Sequence, residues 1–207
     1  MTPLVLVVED HPLFRQAVVD GLARSIPDHR FEQAASIDEA RSCLTRDRPA
    51  LVLLDLELPG VSGLAGLVAI LADWPTLPVA ILSASAEPQL MTRALAIGAR
   101  GYFVKSLALE VLAEGVAAVL DGEIRVPGDT PPAPADDIAL RYATLSPQQC
   151  RVVGLIVEGQ MNKQIANVLG ISEQRVKEHV SQIMRRLGVR TRTQAAVLVR
   201  DLLGGGP

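Results

Sequence analysis

Two cysteines in 207 residues, Cys43 and Cys150, are too few and too far apart for a disulfide framework or a paired-cysteine zinc site, and they suit a reducing compartment. No apolar stretch approaches the ~18 residues a membrane span needs. No basic region precedes the apolar run that ends at Glu9-Asp10, so a secretory signal is not expected and a cytoplasmic protein is. No internal repeat is present. Charge is also sparse, at 21% of residues against 49% hydrophobic, which predicts a packed core rather than disorder.

That sparse charge is unevenly placed. Residues 1–125 hold 10 Lys/Arg against 16 Asp/Glu (net −6), residues 126–143 hold 1 against 3 (net −2), and residues 144–207 hold 9 against 4 (net +5). An acidic front and a basic back predict separate jobs, with a polyanion as one candidate partner for the back. Small domains often differ this much by chance, so the asymmetry needs support from motifs.

Short aliphatic runs recur through the front: LVLVV (4–8), VLL (52–54), VAIL (79–82) and YFV (102–104) read as strands, with FEQAA (31–35) a poorer one. Helical spacing fills the gaps, as in Val111, Leu112, Val116, Val119 and Leu120. Alternating strands and helices predict a doubly wound parallel sheet, the flavodoxin-like (βα)5 fold with strand order 2-1-3-4-5. GEIRVPGDTPPAPADD (122–137) has the composition of a linker. Helical periodicity then continues to the end. Ser146-Pro147 starts one helix, a second covers 162–169 and stops at Gly170, Ser172 caps a third running to Leu187, and a fourth spans 192–203. The expected organisation is a domain over 1–122, a linker over 123–143, and a four-helix domain over 144–207 containing a helix-turn-helix.

The stretch VLLDLELPG (52–60) puts a carboxylate, Asp55, where a buried strand should end. Either the strand stops and a solvated turn begins, or the acid is held at a cleft. In a doubly wound sheet, ligands bind beyond the carboxyl ends of the strands near the point where strand order reverses. Glu9 and Asp10 end the first strand there, Ser83 the fourth and Lys105 the fifth. Three converging carboxylates suit Mg²⁺, and a hydroxyl and an ammonium beside them suit a transferring phosphoryl group, with Asp55 as nucleophile.

VVEDHPLFR, LLDLELPGVSG, ILSAS and GYFVKS resemble the receiver domain of bacterial response regulators, over residues 4–121. The resemblance implies that Glu9, Asp10, Asp55 and the backbone carbonyl of Glu57 bind Mg²⁺. It further implies that Asp55 accepts phosphate from a sensor histidine kinase, that Ser83 and Lys105 bind the phosphoryl oxygens, and that Tyr102 is the aromatic switch. His11 is read as shaping the start of the first helix, and the Glu57 side chain is left without a role.

NKQIANVLGISEQRVKEHVSQIMRRLGV (162–189), with LSPQQ before it and RTQAA after it, resembles the LuxR-type helix-turn-helix. Together the two halves resemble the NarL/FixJ family. At ~100° per residue the third helix of the back half buries Val176, Val180, Ile183, Met184 and Leu187. It turns outward Arg175, Lys177, Glu178, Ser181, Gln182, Arg185 and Arg186, a face for double-stranded DNA or, from the residues alone, for a protein partner. Glu178 either accepts from a cytosine amino group or repels phosphate. Ala195, Val199 and Leu202 of the last helix form either core or the dimer face that the resemblance implies. Expected is a cytoplasmic, bacterial transcription regulator that dimerises on activation and is not a metabolic enzyme. Two rivals remain: a receiver acting as a phosphate-independent interaction module, and an aspartate-nucleophile phosphatase of the haloacid-dehalogenase type using Asp55 and Glu57.

Overall fold

The computed structural model describes residues 2–126 and 137–204. Three strands, β1 (Leu4–Val8), β3 (Leu51–Asp55) and β6 (Val79–Ser83), are buried at every position. That is why they read as continuous apolar runs: helices cover both of their faces. The strands β2 (Arg30–Ala34) and β7 (Gly101–Val104) complete a parallel sheet in the order β2-β1-β3-β6-β7, which is the expected 2-1-3-4-5. Being an edge, β2 buries only its last residue fully, hence its weaker signal.

Alternation along the strands divides the core in two. Val5, Val7, Leu51, Leu53, Ala80 and Leu82 face Val18 and Leu22 of α1 (Pro12–Ser25) and Leu112 and Val116 of α5 (Leu109–Leu120). Leu6, Val8, Val52, Leu54 and Ile81 face α2 (Ile37–Arg46), α3 (Ala65–Asp73) and α4 (Pro88–Ile97). Truncating a fully buried Leu53 or Leu54 to Ala would cost roughly 2–5 kcal/mol. An antiparallel pair that the sequence did not announce, β4 (Glu57–Leu58) with β5 (Val61–Ser62), follows β3. Its turn is Pro59-Gly60, with Gly60 at φ 77°, the residue order a type II turn favours.

The back half contains the four expected helices, α7 (Pro147–Val157), α8 (Asn162–Leu169), α9 (Glu173–Leu187) and α10 (Arg192–Leu202). Ser146, Ser172 and Thr191 cap three of their N-termini through side-chain oxygens, and Gly170 and Gly188 end α8 and α9 in the left-handed conformation.

The stretch expected as a linker carries regular structure near both ends. Arg125 pairs with Gly101 at the edge of the sheet, and Tyr102 donates its N–H to the Arg125 carbonyl at 2.8 Å. Asp137–Ala143 forms a helix, α6, whose Ala139 and Tyr142 are buried. Two apolar positions three apart in a proline-rich stretch were too short a period to register. The remainder of that linker, 127–136, lies outside the described residues.

The two halves share one hydrophobic cluster, with α7 against α3 and α6 against α4. Asp73 bridges them, meeting Arg151 at 2.6 Å and Arg41 at 3.3 Å. Just past β5, the Leu64 N–H donates to the Leu203 carbonyl at 2.8 Å. Gly63 makes this approach possible, since it sits at φ 56° and a Cβ there would lie 2.0 Å from the Leu203 oxygen.

Candidate metal centre and nucleic-acid interface

The carboxyl ends of four strands bring together most of the residues expected at the rim. Glu9 follows β1 and is fully buried, and Asp55 closes β3 at 2% exposure. Lys105, just beyond β7, reaches both, with Nζ 2.7 Å from Glu9 Oε2 and 3.0 Å from Asp55 Oδ2. Burial alone would lower the lysine pKa, but its contacts with Glu9 and Asp55 outweigh that and leave it raised. The Phe14 ring lies beneath the ammonium, 5.2 Å away. The rim is therefore a compact charge cluster, not a solvated turn.

The second oxygen of Asp55, Oδ1, accepts from the Glu57 N–H at 3.1 Å. The Glu57 carboxylate itself is exposed and outside the acidic cluster. This is evidence against the phosphatase rival, whose second acid must work beside the first. Ser83 is buried at the end of β6, and its Oγ accepts from the Ser85 N–H at 3.1 Å. Tyr102 is fully buried in β7 and donates its hydroxyl to the Ser85 carbonyl at 2.8 Å. Burial raises its phenol above the ordinary range.

His11 opens α1 through its backbone, its carbonyl accepting the Arg15 N–H at 3.0 Å. It is the N-cap of α1, yet its side chain makes no capping bond. The ring turns back instead, placing Nδ1 3.1 Å from Glu9 Oε1 and 2.8 Å from Asp10 Oδ1. Glu9, Asp10, His11 and Asp55 each offer one ligand atom within 4.8 Å of the others. Glu9 Oε2 and Asp55 Oδ2 are buried against the Lys105 ammonium, and Asp10 Oδ1 is buried against the His11 ring. Hard carboxylate oxygens at this spacing fit a divalent cation.

On the other half, α9 turns the expected face outward. Arg175, Lys177, Ser181, Gln182, Arg185 and Arg186 are exposed, and Glu178 is partly so. Gln174, Lys177, Glu178, Ser181, Gln182 and Arg185 line an open groove of about 380 Å³. Not all of these side chains are free. Glu178 pairs with Arg175 at 2.8 Å, Lys177 lies 3.6 Å from Glu173, and Arg186 donates to the Thr144 carbonyl. Gln149 closes the Ser146 capping box and donates to Gln182 Oε1 at 2.8 Å. The stripe of Ala195, Val199 and Leu202 is core, and the exposed apolar residue of α10 is Val197.

Comparison with known proteins decides the class. Residues 5–117 match the response regulator receiver domain, and residues 143–199 match the luxR family of bacterial regulatory proteins. The chain is a response regulator of the NarL/FixJ family. It is 33% identical over 210 residues to the glycerol metabolism activator of Pseudomonas putida, covering 96% of this chain and 95% of that one. It is 30% identical over 205 residues to the nitrate/nitrite response regulator protein NarL of Escherichia coli, covering 95% and 94%. A solved LuxR-family response regulator from Aurantimonas sp. superposes with a TM-score of 0.58 at 26% identity, over 62% of this chain and 92% of that one. A response regulator of this build belongs to the transcription regulators of two-component systems. No helix among the described residues is long and apolar enough to cross a membrane.

The contacts that join the halves of this response regulator carried no motif. Gly63, Asp73, Arg151 and Leu203 each act across the halves through a partner more than 70 residues away in the chain. The one available signal was glycine after a turn, which is too common to single out.

Proposed function

We propose that Asp55 accepts a phosphoryl group from a sensor histidine kinase and that this event controls sequence-specific binding of double-stranded DNA by α9. The observation that carries the reading is Lys105 meeting Glu9 and Asp55 at once. An Asp55 oxygen attacks the phosphohistidine phosphorus, the P–N bond breaks, and an aspartyl phosphate forms on a cytoplasmic bacterial protein. Mg²⁺ would be held by Glu9, Asp10, Asp55 and the Glu57 carbonyl, and when bound it supplies neutralisation of the phosphoryl oxygens. Lys105 holds one phosphoryl oxygen. The Ser83 hydroxyl, whose Oγ accepts from the Ser85 N–H, donates to another.

Drawing Ser83 toward phosphate disturbs Ser85, whose carbonyl anchors Tyr102, so the switch residue is tied to the site through one loop. On the other side, β4 and β5 lead from Asp55 to Leu64 and so to the end of α10. A receiver over 1–122 and a DNA-binding unit over 144–207 are thus in mechanical contact. Phosphorylation biases them between docked and released arrangements. The exposed Val197 face of α10 then serves a homodimer that sets two α9 helices on paired half-sites. Arg175, Lys177, Arg185 and Arg186 hold phosphates, while Glu178, Ser181 and Gln182 face the bases.

Intact-mass measurement after incubation with acetyl phosphate and Mg²⁺ tests the reading. One added phosphoryl group is expected in the wild type and none in Asp55→Asn. An unmodified wild type would favour the phosphate-independent module instead.

A further inference from the structure

We propose that His11 is a nitrogen ligand of the divalent-metal site, so that the site favours cations that accept imidazole over Mg²⁺. This rests on the reading of Glu9, Asp10 and Asp55 as a metal centre and adds a donor to it. Three features of the ring support it. Its Nδ1 stands 2.8 Å from Asp10 Oδ1 and 3.1 Å from Glu9 Oε1. Lys105 takes the opposite oxygen of Glu9, Oε2, so the two basic groups divide the carboxylate between them. The His11 side chain is 69% exposed and makes no cap on α1, so its orientation answers to the carboxylates rather than to packing.

The spacing suits a single ion. Metal–ligand bonds of about 2.0–2.3 Å put ligands on one ion up to ~4.6 Å apart. The four donor atoms here lie within 4.8 Å of one another, close to that limit. Asp10 Oδ1 is buried against the ring nitrogen, and in this arrangement the two share one cation. An imidazole in a carboxylate set shifts preference toward Mn²⁺, Co²⁺ and Ni²⁺, because Mg²⁺ gains little from nitrogen and these cations gain more.

Pulsed electron paramagnetic resonance of Mn²⁺ bound to the full chain reads the ligand directly. The expected result is nitrogen modulation from a coordinated imidazole that disappears in His11→Asn, a change that keeps a favourable N-cap. In calorimetric titration, Ni²⁺ affinity should fall about tenfold or more in His11→Asn, while Mg²⁺ affinity changes by less than about threefold. Mn²⁺ bound without nitrogen modulation, or equal loss of Mg²⁺ and Ni²⁺ affinity, overturns the role of His11 and leaves the carboxylate centre standing. Mn²⁺ binding that survives Asp10→Asn together with Asp55→Asn overturns the centre itself and His11 with it.

Discussion

The rim at Asp55 and the outer face of α9 carry similar numbers of charged and polar groups but hold them in opposite ways. At the rim, Glu9, Asp55 and Ser83 are almost wholly buried and Lys105 joins two of them. On α9 the charges stand in solvent, and their pairs are short-range ones along a single helix, Arg175 with Glu178 and Lys177 with Glu173. Buried charge must be matched within the fold, so the rim is tied to stability. Exposed charge is screened and cheap to rearrange, which leaves α9 free to meet phosphates.

That contrast breaks most visibly at Lys105. Lys105→Met leaves two buried carboxylates without their cation and should cost about 3 kcal/mol in urea unfolding. A loss under about 0.5 kcal/mol would mean that the rim is solvated like a surface. Next in size is Gly63→Ala, which sets a Cβ against the Leu203 carbonyl at positive φ. A loss of about 1–2 kcal/mol is expected. Faster amide exchange at Leu64 should accompany it, and unchanged exchange there would rule out the contact as a joint between the halves. Lys177→Ala should alter stability by less than about 0.5 kcal/mol. It should nevertheless lower the salt slope of DNA binding by about one. An unchanged slope would move the phosphate contacts off this face.

The smallest effect belongs to His179 on α9. Burial, then the charge of Arg175, lowers its pKa from 6.5. The folded chain therefore binds fewer protons there than the unfolded chain. Its contribution is complete above pH 6.5 and is lost as pH falls through the lowered value. Urea midpoints measured from pH 7 downward should decline slightly less in His179→Gln than in the wild type, and parallel curves would contradict that sign.

The rim was legible because strand periodicity fixes where Glu9, Asp55, Ser83 and Lys105 emerge, and a parallel sheet in this order gathers strand ends at one edge. The outward residues of α9 were legible from the helical period alone. What stayed hidden depends on side-chain direction or distant contact. The ring of His11 turned back on the acids instead of capping α1. Tyr142 gave α6 a buried anchor inside an apparent linker, and Gly63 mattered only because Leu203 lies against it. None of these leaves a local period or composition behind.

The central claim is that phosphate at Asp55 governs DNA binding at α9. The direct measurement is the affinity of the full chain, before and after acetyl phosphate treatment, for a duplex selected from a random pool. Coupling between sites is typically worth about 5–150-fold in affinity. The account predicts a gain in that range for the wild type and none for Asp55→Asn. Equal affinity in both states of the wild type, or an equal gain in Asp55→Asn, would contradict it.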